Sequence, residues 1–113
     1  MLTLLLMLIQ AAPVAPPGLE PAFHNTIVST YPDGRTARLW LEPGGTYRGQ
    51  GRRGGSNSGV WAIDGENICF SQRRPLPMPI RYCTPVMRGD VGARWSAKAV
   101  TGEPITVQLV AGR

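Results

Sequence analysis

Glycine and proline interrupt this chain so often that few folds remain open to it. Together they supply 25 of its 113 residues, about twice the usual share of roughly 12%. Beyond Pro21 the stretches of five or more residues free of both run over 22–31, 35–42, 60–64, 66–74, 80–84, 93–101 and 105–111, none longer than ten residues. A typical helix needs about 11 or 12 residues, and an interior Gly or Pro costs it about 1 or 3 kcal/mol. Helices are therefore nearly excluded, while strands of about five or six residues fit between the breaks.

The side-chain pattern inside those stretches has the period of two that a half-buried strand requires. In Arg35–Glu42, Ala37, Leu39 and Leu41 point one way while Thr36, Arg38, Trp40 and Glu42 point the other. Trp95, Ala97 and Ala99 alternate with Arg94, Ser96 and Lys98, and Ile105, Val107 and Leu109 share one face. Strands are predicted over 25–31, 35–42, 46–50, 58–63, 67–71, 80–84, 94–100 and 105–110. Most are joined by turn sequences such as Pro32-Asp33-Gly34, Pro43-Gly44-Gly45 and Asp64-Gly65, where glycine accepts the positive φ that other residues resist. Arg73–Pro79, with prolines alternating, reads as a loop. Gly59 is expected to mark a bulge or a close backbone approach. Short strands in series favour an all-β fold, a small antiparallel up-and-down β-barrel of about eight strands that hides its edges. An open β-sandwich is the alternative.

The N-terminal segment departs from this pattern. Met1–Ala12 is apolar and uncharged and ends in small residues, too short for the about 20 helical residues that cross a bilayer and suited to a secretory signal peptide. The competing reading is an apolar first strand or core segment of a cytosolic protein. Residues 13–22 hold four prolines and are expected to form a stiff spacer, disordered or lying loosely on the surface. Residues 23–113 then form a single β domain, periplasmic or secreted, with no transmembrane segment.

In such a compartment Cys69 and Cys83, the only cysteines, are expected to form a disulfide. By the chain-entropy argument, closing a loop of about 15 residues contributes roughly 3 kcal/mol. Two cysteines and the distant His24 do not have the spacing of a metal site, and no cofactor is implied. His24 is the only histidine, and no serine lies in an activating motif, so a surface histidine is the ordinary reading and no catalytic residue is assigned.

The net charge of +5 favours anionic partners, although a GC-rich genome would enrich arginine in the same way. Two doublets, Arg52-Arg53 and Arg73-Arg74, are candidate docking residues for an anionic surface. The glycine-rich run 49–59 is not a phosphate cradle, because a strand and not a helix follows it, and one Arg-Gly-Gly unit is thin support for nucleic acid. A hairpin loop with two exposed arginines is the plainer account. Trp61 and Trp95 read as core. Trp40 shares its face with polar residues and is the tryptophan expected to be exposed or at a partner surface.

Gly45-Thr-Tyr47, Ser58-Gly-Val-Trp61 and Gly65-Glu-Asn-Ile-Cys69-Phe, followed by Cys83, resemble lipocalin-like small exported β-barrel proteins of bacteria over roughly residues 44–84. Bacterial metalloprotease inhibitors of the Inh type are similar in size, export, barrel architecture and single disulfide. That likeness implies an N-terminal segment that enters a protease cleft, a part that residues 12–23 would play. Two functions are thus expected to compete: a non-enzymatic envelope or periplasmic binding module, holding a small apolar ligand or docking on an anionic envelope component, and a protease inhibitor. A small hydrolase is a third. The barrel interior decides between the first two. Leu39, Leu41, Tyr47, Trp61, Ile68, Phe70, Trp95, Val107 and Leu109 are bulky enough to fill it, and a filled interior would disfavour ligand carriage.

Overall fold

The computed structural model describes residues 18–113; the signal-peptide reading of 1–12 and the spacer up to residue 17 lie outside the described residues. Eight strands follow one another as β1 (Thr26–Thr30), β2 (Thr36–Leu41), β3 (Thr46–Gln50), β4 (Ser56–Asp64), β5 (Asn67–Arg74), β6 (Tyr82–Pro85), β7 (Arg94–Lys98) and β8 (Pro104–Val110). Every pairing is antiparallel, in the spatial order β6-β5-β4-β3-β2-β1-β8-β7. The first and last strands pair through Ile27 opposite Leu109, so the sheet curls into a nearly closed barrel. Its seam falls between β6 and β7, where the Tyr82 hydroxyl donates to the Lys98 carbonyl. Each of the eight expected strands is present, with β4 and β5 longer than expected and β6 shifted to Tyr82–Pro85.

Two details follow from glycine. Between Ser58 and Gly59 the β4–β5 register shifts in a bulge, and a Cβ added to Gly59 would stand 2.1 Å from the Ser71 carbonyl oxygen. Only glycine lets the two backbones approach so closely. Gly34, Gly54 and Gly102 adopt φ of +84°, +89° and +87° in three hairpin connections, a region that other residues enter at a cost.

Up-and-down connectivity sorts the loops. The β1–β2, β3–β4, β5–β6 and β7–β8 connections gather at one end of the barrel; the other connections and the C-terminus gather at the opposite end. The latter end is plugged. Leu19 is fully buried and Ala22 nearly so, held by a 3₁₀ helix over Glu20–His24 that carries Pro21 in its first turn and packs on β1 and β2. Phe23 stacks on Trp61 at 5.9 Å, and the Trp61 indole N–H donates to the Glu42 carbonyl at 2.9 Å. The Asn25 side chain accepts from the Gly112 N–H at 2.9 Å, and the Thr26 hydroxyl donates to the Gly112 carbonyl at 2.7 Å. Residues 18–22 therefore depart from the expected loose spacer: burying Leu19 over the open end of the core outweighs the freedom of a proline-rich segment.

The disulfide joins Cys69 of β5 to Cys83 of β6, residues directly opposite in register. Arg73 and Arg74, read from sequence as the start of a loop, instead complete β5, because Arg74 pairs across to Ser58 beyond the bulge. Among the described residues no helix is long and apolar enough to cross a membrane.

Candidate functional site

The inward positions of the eight strands are not uniformly large. Near the plugged end they are bulky, and Leu41, Ile68 and Leu109 are fully buried there. Toward the opposite end the alternation places Ser29, Ala37, Gly49, Ala97 and Ala99 inside. An eight-stranded barrel is just wide enough for side chains to fill or for one small ligand, so small residues in one half leave space in that half. Of the bulky residues that the sequence offers as filling, Leu41, Ile68 and Leu109 pack the base, while Leu39, Tyr47, Phe70, Trp95 and Val107 line the space above it.

Two adjoining cavities occupy the upper half. One, of about 180 Å³, lies under the β6–β7 seam among Ile27, Leu39, Phe70, Trp95, Ile105 and Val107. The other, of about 260 Å³, reaches the mouth past Tyr47, Gly51, Met78, Ile80 and Val100. Tyr31, Leu39, Phe70, Tyr82 and Val100 line both. An aromatic series crosses the interior from β3 to β6: Tyr47 meets Phe70 edge-on at 5.3 Å, and Phe70 stacks on Tyr82 at 6.2 Å. Such pairs add to the area they bury.

A few polar groups punctuate the apolar wall: the Ser29, Thr84, Tyr31 and Tyr82 hydroxyls and the Asn57 and Gln72 amides. Burial raises the Tyr47 phenol above its ordinary pKa. At Tyr31 burial also raises it, against the lowering influence of Arg52. Both are therefore neutral at physiological pH, when they can donate or accept one hydrogen bond without placing a charge inside. His, Asp and Glu do not occur among the described residues lining either cavity.

Above Tyr31 the mouth is held by ion pairs. Arg52, in the β3–β4 turn, binds Glu103 of the β7–β8 turn through two hydrogen bonds of 3.0 and 3.1 Å. It also lies 3.9 Å from Asp33 of the β1–β2 turn, with its guanidinium 4.3 Å from the centre of the Tyr31 ring. The Thr101 hydroxyl donates to Glu103 at 2.8 Å. The hydrogen bond from Arg52, then that from Thr101, lowers the Glu103 pKa. Three turns are thus tied across one side of the mouth, a constellation that the sequence hides because its members come from three separate hairpins.

The other sequence candidates fall in different places. Arg53, Arg73 and Arg74 are exposed near the mouth, while Arg52 is engaged by the protein's own carboxylates. Trp40 is half-buried on the outer wall, its indole N–H donating to the Thr26 hydroxyl at 2.9 Å and its ring 5.5 Å from the Arg48 guanidinium. His24 is exposed at the plugged end. Among the described residues no group of three or more His, Cys, Asp or Glu could hold a metal ion.

The barrel is the architecture that the lipocalin-like resemblance implied. Comparison with protein-family models, with curated proteins and with solved structures gave no match to this chain.

Proposed function

We propose that this protein is an exported, non-enzymatic binding module that takes a small apolar or amphipathic ligand into the upper half of its barrel. The observation that carries the reading is the pair of adjoining, mainly apolar cavities in the mouth half of the barrel. Their individual sizes are comparable to an apolar cavity of about 150 Å³ that accepts benzene and fall below the about 300 Å³ of a drug-sized pocket. A short acyl chain or a single ring system suits them better than a sterol. The few hydroxyls and amides would orient a polar head toward the mouth. The disulfide is compatible with an oxidising compartment outside the cytosol, in keeping with the signal-peptide reading of residues 1–12.

Titration with N-phenyl-1-naphthylamine, which brightens in apolar surroundings, tests the proposal. Saturable uptake is expected, competed by medium-chain fatty acids. Ala97→Phe, which places a ring into the cavity under the β6–β7 seam, should weaken uptake at least tenfold while the circular dichroism spectrum stays that of the parent. Equal uptake by parent and variant would refute carriage in the barrel. Native mass spectrometry of protein taken from its own envelope would then identify the cargo; a co-purifying protease would favour the inhibitor reading instead.

A further inference from the structure

The four most exposed large apolar side chains of the described chain all lie at the mouth. Leu76, Met78 and Ile80 in the β5–β6 loop are 70%, 50% and 81% exposed, and Val100 beyond β7 is 74% exposed. Met78, Ile80 and Val100 also line the mouth cavity, so this patch is continuous with the interior. Solvent-facing apolar groups scattered singly need no explanation, but a cluster around an opening does.

Charge is sorted along the same axis. At the mouth end stand Arg35, Arg52, Arg53, Arg73, Arg74 and Lys98 against only Asp33 and Glu103. At the plugged end Arg88, Arg94 and Arg113 face Glu20, Glu42, Glu66 and Asp90, and Asp64 there is paired with Arg81. Arg53, Arg73, Arg74 and Lys98 form no ion pair among the described residues. The barrel is therefore polarised, with a basic, apolar-tipped end and a weakly acidic one. Up-and-down topology makes this possible, because alternate hairpin loops must share an end.

The geometry points to docking of the mouth on an anionic phospholipid surface. The tips of the β5–β6 and β7–β8 loops enter the interfacial layer, and Arg53, Arg73, Arg74 and Lys98 meet the lipid phosphates. Neither part suffices alone. Apolar tips without charge would not select anionic lipid, and arginines without the tips would bind any polyanion. Docked this way, the chamber opens into the acyl region, a direct source for an apolar or amphipathic occupant. The docking stands on the rim and the carriage on the lining, so either can fail without the other.

Co-sedimentation of the full chain with vesicles tests it, comparing phosphatidylcholine alone with phosphatidylcholine containing phosphatidylglycerol. Binding is expected only to the anionic vesicles and is expected to fall as salt rises. Leu76→Ser and Ile80→Ser should each weaken it about tenfold, and Arg73→Ala and Arg74→Ala about fivefold each. Uptake of N-phenyl-1-naphthylamine should survive Leu76→Ser, Arg73→Ala and Arg74→Ala, whose side chains line neither cavity, separating the rim from the chamber. Failure of the parent to bind anionic vesicles would overturn the proposal. So would binding that ignores the two serine substitutions, whether it came from charge alone, as to an acidic polysaccharide, or from the N-terminal apolar segment.

Discussion

Replacing Gly59 by alanine places a methyl carbon 2.1 Å from the Ser71 carbonyl oxygen and 3.0 Å from both the Ser71 carbonyl carbon and the Gln72 Cα. All of these neighbours are backbone, so no side-chain rotation relieves the contact. Strands β4 and β5 would have to part by roughly 1 Å, loosening the packing on either side. The hydrogen bonds flanking the bulge contribute about 1 kcal/mol each, so with lost packing the expected cost is about 3 kcal/mol. For a domain of this size that is a fall in Tm of about 12–24 °C. Gly49→Ala is the control: its added carbon would stand 2.5 Å from the Asn57 side-chain oxygen, which can swing aside, so the cost is about 1 kcal/mol or less. Urea unfolding followed by tryptophan fluorescence reads both. Equal costs for the two substitutions would refute the claim that backbone approach at the bulge makes Gly59 necessary.

Leu19→Ala should destabilise the fold by about 2–5 kcal/mol, because it empties a fully buried site in the barrel plug, while Glu20→Ala beside it should change stability by less than about 0.5 kcal/mol; thermal melts compare them. Replacing Cys69 and Cys83 together by serine should cost roughly 3 kcal/mol with the β-type circular dichroism spectrum retained, since β5 and β6 remain paired through their backbones. Glu103, its pKa lowered chiefly by Arg52, contributes stability that is present above its unfolded value of about 4.3 and is lost as pH falls through the lower folded value. Unfolding free energy measured against pH should show that acid loss in the parent and a shallower one in Glu103→Gln.

The strand framework was legible because its cause is local: a Gly or Pro ends a segment whatever surrounds it, and alternation assigns the faces. Gly59 was readable for the same reason. The chamber was not seen, although its signal lay in the alternation. Counting bulky residues leaves a filled and a hollow interior both open, whereas Ser29, Ala37, Gly49 and Ala97 occupy inward positions of equal standing, and their smallness leaves the space. The plug was missed because four prolines read as a spacer, yet Leu19 beside them had an apolar barrel end to cover. Arg52 was grouped with Arg53 by sequence adjacency. Its partners Glu103 and Asp33 lie in other hairpins, and only the curl of the sheet brings them together.

Methyl-resolved nuclear magnetic resonance during titration with octanol tests the central claim, that the upper barrel is an accessible apolar chamber. Saturable shifts are expected at Ile27, Leu39, Ile105 and Val107, with Leu41 and Leu109 at the packed base much less affected. Shifts confined to Leu76, Val91 and Val110 on the surface, or no saturation anywhere, would contradict it.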